Sequence, residues 1–259
     1  MDLGIAGRKA IVCASSKGLG RACATSLAQA GCEVVINGRN RETVEVAAAE
    51  IGKATGAKVT AVVADVASPD GQKALFAVCP EPDILVNNNA GPPFRDFREL
   101  TRAQIIDGVI ANMAVAIELT QKAIDAMVAR KFGRIVNITS GTVKAPLFGL
   151  DLSSGARAGL TAFMAGVARS VAKENVTINF MQPGAFATDR LQSNIEMTAS
   201  KRGVSVDQAM KDRIATIPAR RLGTPEEFGA VCAFLCSTHA GYITGQNVLL
   251  DGGAFPGAF

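Results

Sequence analysis

Short runs of valine and isoleucine recur along this chain of 259 residues, and longer segments with helical periodicity separate them. Strands are predicted at residues 9–14, 33–37, 59–63, 83–87, 133–139, 176–181 and 246–250. Helices are predicted at residues 20–30, 41–55 and 101–130, at 153–174, and after the capping pair Ser68-Pro69. Strands that are apolar along their whole length are typical of a parallel sheet with helices on both faces. The pattern therefore predicts an α/β fold with a doubly wound, seven-stranded parallel sheet.

The overall amino-acid composition argues against several classes of protein. Apolar residues make up 48% of the chain and charged residues 19%, which excludes a disordered protein. A net charge of +4 with scattered Lys and Arg does not favour nucleic-acid binding. The sequence has no run of about 18 uninterrupted apolar residues and no evident signal peptide, so no membrane role is expected. The six cysteines form no C-x-x-C pair, so we expect free buried thiols, a cytoplasmic protein and no metal site.

A glycine-rich turn follows the first predicted strand directly. Gly18 and Gly20 would let the backbone approach a pyrophosphate, and the helix that begins there would direct its positive end at the phosphates. The candidate cofactor-binding residues of this turn are Ser15, Ser16, Lys17, Gly18, Leu19 and Gly20. The candidates at the carboxyl ends of later strands are Asp65, Val66, Asn89, Ala90, Gly91, Pro183, Gly184 and Thr188. These ends form the binding edge of such a sheet, so a dinucleotide cofactor is predicted.

The charge after the second strand bears on which dinucleotide binds. NAD sites usually carry an acidic residue there, but residues 37–41 read Asn-Gly-Arg-Asn-Arg. Lys17 and Arg39 could together hold a 2′-phosphate, so NADP(H) is predicted. The alternative is that both are ordinary solvated cations.

The segment 188–219 is more polar than its surroundings and leaves from the end of the sixth strand. We expect two short helices that form a lid over the substrate site, because open α/β sheets bind ligands at this edge. The alternative is that this segment is an ordinary surface insertion that covers no site. No composition break divides the chain, which predicts one domain over residues 1–259.

Several motifs together carry a resemblance to a known family. They are Gly-Leu-Gly at 18–20, Asn-Asn-Ala-Gly at 88–91, Gly-Arg-Ile-Val-Asn-Ile-Thr-Ser at 133–140, Pro-Gly at 183–184, Tyr-Ile-Thr-Gly-Gln at 242–246 and Asp-Gly-Gly at 251–253. Over essentially its whole length the chain resembles the short-chain dehydrogenases/reductases, and it is similar to the 3-oxoacyl-acyl-carrier-protein reductase type. The resemblance implies a Rossmann fold and oxidoreductase activity. Ala14 stands where the family usually has its first loop glycine.

The resemblance also implies catalytic positions. Asn112 and Ser140 match the family's catalytic asparagine and serine, but Ser153 and Arg157 stand where it keeps a Tyr-x-x-x-Lys pair. In the family the tyrosine donates a proton to the developing alkoxide, and the lysine lowers its pKa and holds the nicotinamide ribose. A serine hydroxyl is a far weaker acid, and an arginine effectively never releases its proton, so we expect Arg157 only to hold the ribose.

Other groups could deliver the proton. Lys144 lies four residues past Ser140 in the predicted pocket wall, although it could equally be an exposed loop lysine. A water held by Ser140 and Ser153 is a further route. The only tyrosine, Tyr242, and the only histidine, His239, are not expected to be catalytic. The predicted pocket lining is apolar: Pro92, Pro93, Phe94, Phe148, Leu150, Phe186 and Met197.

Two functions remain open at this point. The first is an NADP(H)-dependent oxidoreductase that acts on a partly apolar carbonyl/alcohol pair with an atypical proton donor. The second is a catalytically silent NADP(H)-binding sensor or scaffold, which the loss of Tyr-x-x-x-Lys would favour. The helix at 153–174 is rich in small residues, and by resemblance it forms a subunit interface, so a homotetramer is expected, with a dimer second.

Overall fold

All seven predicted strands join one parallel sheet. The computed structural model describes residues 1–92 and 94–258. The strands are β1 (Lys9–Val12), β2 (Glu33–Gly38), β3 (Val59–Val63), β4 (Ile84–Asn87), β5 (Gly133–Ile138), β6 (Val176–Pro183) and β7 (Asn247–Leu250). They lie in the order β3-β2-β1-β4-β5-β6-β7, and every pairing is parallel. The prediction of a doubly wound, seven-stranded parallel sheet is therefore confirmed.

Helices cover both faces of this sheet. They are α1 (Gly18–Gln29), α2 (Arg41–Thr55), α3 (Pro69–Val78), α4 (Arg102–Val109), α5 (Val115–Arg130), α6 (Asp151–Val171), α7 (Asp189–Arg202), α8 (Val206–Ala215) and α9 (Pro225–Cys236). Side chains of α1, α2 and α9 share one buried cluster with Ala10 and Val12, and side chains of α3, α5 and α6 share another with Ile11 and Cys13. Successive residues of β1 thus face opposite cores, as expected of a strand buried on both sides.

Several element bounds differ from the sequence-based prediction, and the differences at β1, α1 and α9 are the following. Strand β1 ends at Val12, because Ala14 turns into a left-handed conformation with φ 44°. Helix α1 begins at Gly18 rather than residue 20. Helix α9 was not predicted, although Thr224 and Glu227 form a reciprocal capping box at its start.

The long predicted helix at 101–130 is α4 and α5 joined through a π-helical turn, Ile110–Ala114. Its length and apolar composition would suffice for a membrane span, with a mean hydropathy of 1.3 over its most apolar window. Residues Val115, Leu119 and Met127 of this helix are buried in the core beneath the sheet. Long core helices meet the same two criteria.

Candidate active site

The turn after β1 is held from both sides by asparagines. Asn37 accepts the backbone N–H of Ala14 with its Oδ1 at 2.6 Å, and Asn88 donates its Nδ2 to the Ala14 carbonyl at 3.2 Å. A left-handed alanine is strained by about 1–2 kcal/mol. These two contacts hold Ala14 in the conformation that the family's usual glycine adopts freely.

The two glycines of this turn have different surroundings: Gly20 is packed closely against the protein's own backbone, whereas Gly18 is open. A Cβ on Gly20 would lie 2.5 Å from the Ala14 carbonyl oxygen and 2.9 Å from Asn88 Nδ2. Gly18 has φ +60°, and its nearest neighbour outside the turn is Thr188. Lys17 is the N-cap of α1, and no side chain caps that end of the helix. The first N–H groups of α1 are therefore available for an anion.

The predicted residues of the turn have different surroundings. Ser15 is fully buried, and its hydroxyl donates to the Val12 carbonyl at 2.6 Å, so it supports the turn and does not face a ligand. Ser16 lies against Gly38 at the end of β2. Lys17 and Arg39 are exposed, and within residues 1–92 and 94–258 neither makes an ion pair.

The other predicted cofactor residues line the same edge of the sheet. Asp65 is exposed after β3 and accepts the Ala67 N–H, whereas the side chain of Val66 is buried in the core and only its backbone could meet a ligand. Asn89 follows β4 and donates to the Ala111 carbonyl at 3.1 Å.

Three further predicted cofactor residues lie at the carboxyl ends of the strands. Ala90 is exposed after Asn89. Gly184 follows Pro183, the last residue of β6, and a Cβ there would lie 2.7 Å from Asp251 Cα. Thr188 caps α7 by accepting the Leu191 N–H.

Ser153 and Arg157 form a hydrogen-bonded pair on α6. Arg157 donates Nε to Ser153 Oγ at 3.2 Å and Nη1 to the carbonyl oxygen of Ile138, the last residue of β5. Both side chains are buried. Burial, with a smaller contribution from the charge of Arg190, lowers the pKa of Arg157 to about 10. Arg157 is thus a buried cation whose hydrogen-bond partners are neutral.

Asn112 lies in the π-helical turn between α4 and α5. Its Nδ2 donates to the Gly108 carbonyl at 3.0 Å, and its buried Oδ1 has no partner among the described residues. Asn112 and Arg157 both line a cavity of about 20 Å³, whose wall combines asparagine side chains with apolar ones such as Val115 and Leu119. A water molecule needs about 10–15 Å³ and at least two polar partners, so this cavity suits one.

Ser140 lies at the end of β5 and begins a short 3-10 turn, Gly141–Val143. Its Oγ accepts the backbone N–H of Thr142 at 3.2 Å and the Thr142 hydroxyl at 2.9 Å. Helix α6 packs against this turn. Among the described residues, neither the Ser140 nor the Ser153 hydroxyl donates a hydrogen bond.

The remaining proton-donor candidates lie at different places. Lys144 is half-buried, and its ammonium lies 5.5 Å from the ring centroid of Phe255. Tyr242 is fully exposed on the surface. His239 is exposed, and its Nε2 lies 2.8 Å from the Asp2 carbonyl oxygen. Within residues 1–92 and 94–258, no three His, Cys, Asp or Glu side chains are placed to hold a metal ion.

The predicted pocket lining is partly wrong. Phe186 is buried in the core, where its ring packs edge-on against Phe228 with centroids 5.2 Å apart, so it does not line a pocket. Phe94, Phe148 and Met197 are exposed, while Leu150 and Pro92 are half-buried. Pro93 lies outside the described residues.

The segment 188–219 contains two helices, α7 and α8, with a small core of Ile195, Ala199 and Ala209. One of its residues, Arg190, was not among the predicted site residues. Its guanidinium lies so close to Gly91 that a Cβ there would be 3.0 Å from Nη2, and it donates to the Pro92 carbonyl at 3.5 Å. The only sequence signal for Arg190 is that it follows Thr188, a predicted cofactor residue, by two positions.

Residues 13–254 match the family described as Enoyl-(Acyl carrier protein) reductase. Acetoacetyl-CoA reductase of Cupriavidus necator is 35% identical, with 96% of this chain and 99% of that protein covered. The NADPH-dependent reductase BacG of Bacillus subtilis is 31% identical, with 95% of this chain and 97% of that protein covered.

The structure of L-sorbose reductase from Gluconobacter frateurii, solved with NADPH and L-sorbose, superposes with a TM-score of 0.93. It is 27% identical and covers 99% of this chain and 100% of its own. The family match spans nearly the whole chain and agrees with the sheet order and with the motifs at its edge. The chain belongs to the short-chain dehydrogenase/reductase family and is similar to its 3-oxoacyl-acyl-carrier-protein reductases.

Proposed function

We propose that this protein is an NADP(H)-dependent oxidoreductase that interconverts a carbonyl compound and its alcohol without the family's tyrosine. The observation that carries the proposal is the Ser153–Arg157 pair, which keeps a hydroxyl and a cation at the positions of Tyr and Lys and joins them by a hydrogen bond. A bound NADPH would supply the hydride.

The residues present fit a dinucleotide. The uncapped N-terminus of α1 and the glycine surface at Gly18 and Gly20 suit a pyrophosphate, and Thr188 lies beside Gly18. Lys17 and Arg39 are the cations for a 2′-phosphate, and residues 37–41 at the end of β2 include no acid that would repel it. Two relatives, an NADPH-dependent reductase and a sorbose reductase solved with NADPH, support the choice of NADP(H).

The proposed chemistry relies on two hydroxyl donors and a buried cation. The Ser140 and Ser153 hydroxyls donate to the substrate oxygen and stabilise its developing negative charge. Because Arg157 already donates to Ser153 Oγ, the serine hydrogen is directed away from the guanidinium. The proton reaches the product oxygen from a bound water that bulk solvent then reprotonates, and the small cavity beside Asn112 would hold that water. Lys144 remains the alternative donor.

A panel of ketones and quinones with NADPH, followed at the nicotinamide absorbance, tests the function. The proposal expects turnover that requires Ser153 and tighter binding of NADPH than of NADH. Absence of turnover by the wild type, with activity gained in Ser153→Tyr/Arg157→Lys, would show a silent cofactor-binding protein instead.

We further propose a homotetramer in the cytoplasm. Helix α4 and the π turn expose Ile105, Ile106 and Ile110 on one surface, and α6 exposes Phe163. Exposed apolar surface of this kind marks an interaction site. Sedimentation at micromolar concentration is expected to give a tetramer, and a monomer would contradict the assembly. Localisation is testable by cell fractionation.

A further inference from the structure

Cations without acidic partners gather at the substrate end of the sheet. The hydrogen bonds of Arg157 go to Ser153 and to the Ile138 carbonyl, and Arg190 donates to the Pro92 carbonyl. Within residues 1–92 and 94–258, neither arginine has a carboxylate within ion-pair distance. The two arginines are close enough for the charge of Arg190 to lower the pKa of Arg157.

Helix α7 turns one cationic face toward the loop after β4. Arg190 lies over Gly91 and Pro92, and Lys201 places its ammonium 5.4 Å from the ring centroid of Phe94. Eleven residues separate the two cations, which is three helical turns and about 16 Å along the helix. Met197 lies between them near the same face and is exposed. This face therefore combines positive charge with apolar surface.

Asp151 and Asp251 are occupied by backbone N–H groups and make no ion pair with these arginines. Asp151 accepts the Gly149 N–H, and Asp251 accepts the N–H groups of Gly253 and Phe255. An unpaired buried cation is costly, and a second cation beside it raises the cost. A bound anion would remove both penalties, and an arginine fork matches a carboxylate in geometry.

We propose that the substrate carries a carboxylate close to its reacting carbonyl, and that Arg190 binds this carboxylate over Gly91 while Arg157 adds positive potential beneath it. The inference rests on the proposed function and names the substrate class of that site. The exposed Phe94, Phe148 and Met197 fit the apolar remainder of such a molecule. A medium-chain 2-oxo acid meets these requirements.

The cofactor's pyrophosphate is the competing anion, because Thr188 lies beside Gly18 and only two residues from Arg190. Arg190 itself lies against Gly91, a candidate cofactor residue, and donates to the carbonyl of Pro92, which is predicted pocket lining; the contact with Pro92 favours the substrate. The two sources predict different consequences for Arg190→Met, so one set of variants separates them.

The test compares 2-oxohexanoate with 2-hexanone as substrates for NADPH oxidation. Wild type is expected to prefer the acid in kcat/KM by about 100-fold, and Arg190→Met should remove that preference while turnover of 2-hexanone changes less than about threefold. Arg190→Lys should restore part of it. Arg213→Met removes an exposed charge from α8 and should behave as wild type. A tenfold loss of NADPH affinity in Arg190→Met, with an unchanged acid preference, would assign Arg190 to the cofactor and overturn the inference.

A second measurement does not depend on turnover. Hexanoate and hexanamide are titrated into the NADPH complex of wild type and Arg190→Met by calorimetry. Binding of hexanoate that is lost in Arg190→Met supports the inference even if neither carbonyl compound is reduced, in which case the proposed function alone fails. Equal binding of hexanoate and hexanamide would overturn the inference and leave the proposed function standing.

Discussion

Arg157 Nε donates a hydrogen bond to Ser153 Oγ at 3.2 Å, one helical turn away. The same arginine is tied to the end of β5 through the Ile138 carbonyl, so the pair is fixed relative to both helix and sheet. A hydroxyl and a cation are thereby held at the positions of the family's catalytic tyrosine and lysine, although neither group can release a proton readily at neutral pH.

The charge of Arg157 gives the active site an unusual alkaline limit. An ordinary arginine stays charged beyond pH 12, but burial lowers the pKa of Arg157 to about 10. As pH rises through about 10 the guanidinium becomes neutral, so kcat/KM for NADPH is expected to fall, since this parameter reports groups of the free enzyme. Circular dichroism at each pH controls for unfolding, and a flat profile to pH 11 in folded protein would contradict the expectation.

Gly20→Ala is expected to abolish cofactor binding. The added Cβ would meet the Ala14 carbonyl oxygen at 2.5 Å, and this backbone atom cannot move without displacing the turn. Gly52→Ala is the matched control, because Gly52 lies inside helix α2 and its added Cβ would lie 3.5 Å from the nearest atom. Fluorescence titration with NADPH should show loss of binding only in Gly20→Ala, and normal affinity in that variant would disprove the proposed phosphate site.

Ala14→Gly should raise the free energy of unfolding by about 0.5 kcal/mol. Removing the strain of the left-handed alanine stabilises the folded protein by about 1–2 kcal/mol. The greater conformational entropy of glycine in the unfolded chain lowers this gain by about 0.5–1 kcal/mol. Urea denaturation at constant slope measures the difference. A loss of more than 1 kcal/mol would mean that the alanine methyl makes a packing contribution that outweighs its strain.

The six cysteines should resist alkylation in the folded protein. All six are free and buried, and burial raises the pKa of Cys13 and of Cys32 to about 12. Since the thiolate is the reactive form, iodoacetamide at pH 8 should label almost none of them until the chain unfolds. Mass spectrometry counts the adducts, and rapid labelling of one site in native protein would reveal an opening that the structure does not contain.

The sheet could be predicted from sequence because its strands are rich in valine, isoleucine and leucine, so a run such as Ile84-Leu85-Val86 of β4 has few alternatives. Ser153 and Arg157 were also placed together on one helix face by their spacing alone. Helix α9 was not predicted, although Thr224 and Glu227 form a capping box that could have been recognised in the sequence. The π turn at Asn112 has no comparable local signal in the sequence.

Contacts between distant segments could not be predicted. Phe186 looked like pocket lining next to Pro183 and Gly184, but it packs on Phe228, 42 residues away, in the core. A lid over residues 188–219 was predicted, but its pattern does not show which residue of α7 lies over Gly91, so Arg190 was not identified.

The most direct test of the account is the rate of hydride transfer in Ser153→Ala, measured in single turnovers with NADPH and a substrate that the wild type reduces. Ser154→Ala is the control, because its hydroxyl only donates to the Leu150 carbonyl on the same helix. The account predicts a loss of about 100-fold or more in Ser153→Ala, a solvent isotope effect in wild type, and a normal rate in Ser154→Ala. A wild-type rate in Ser153→Ala, with cofactor binding intact, would contradict it.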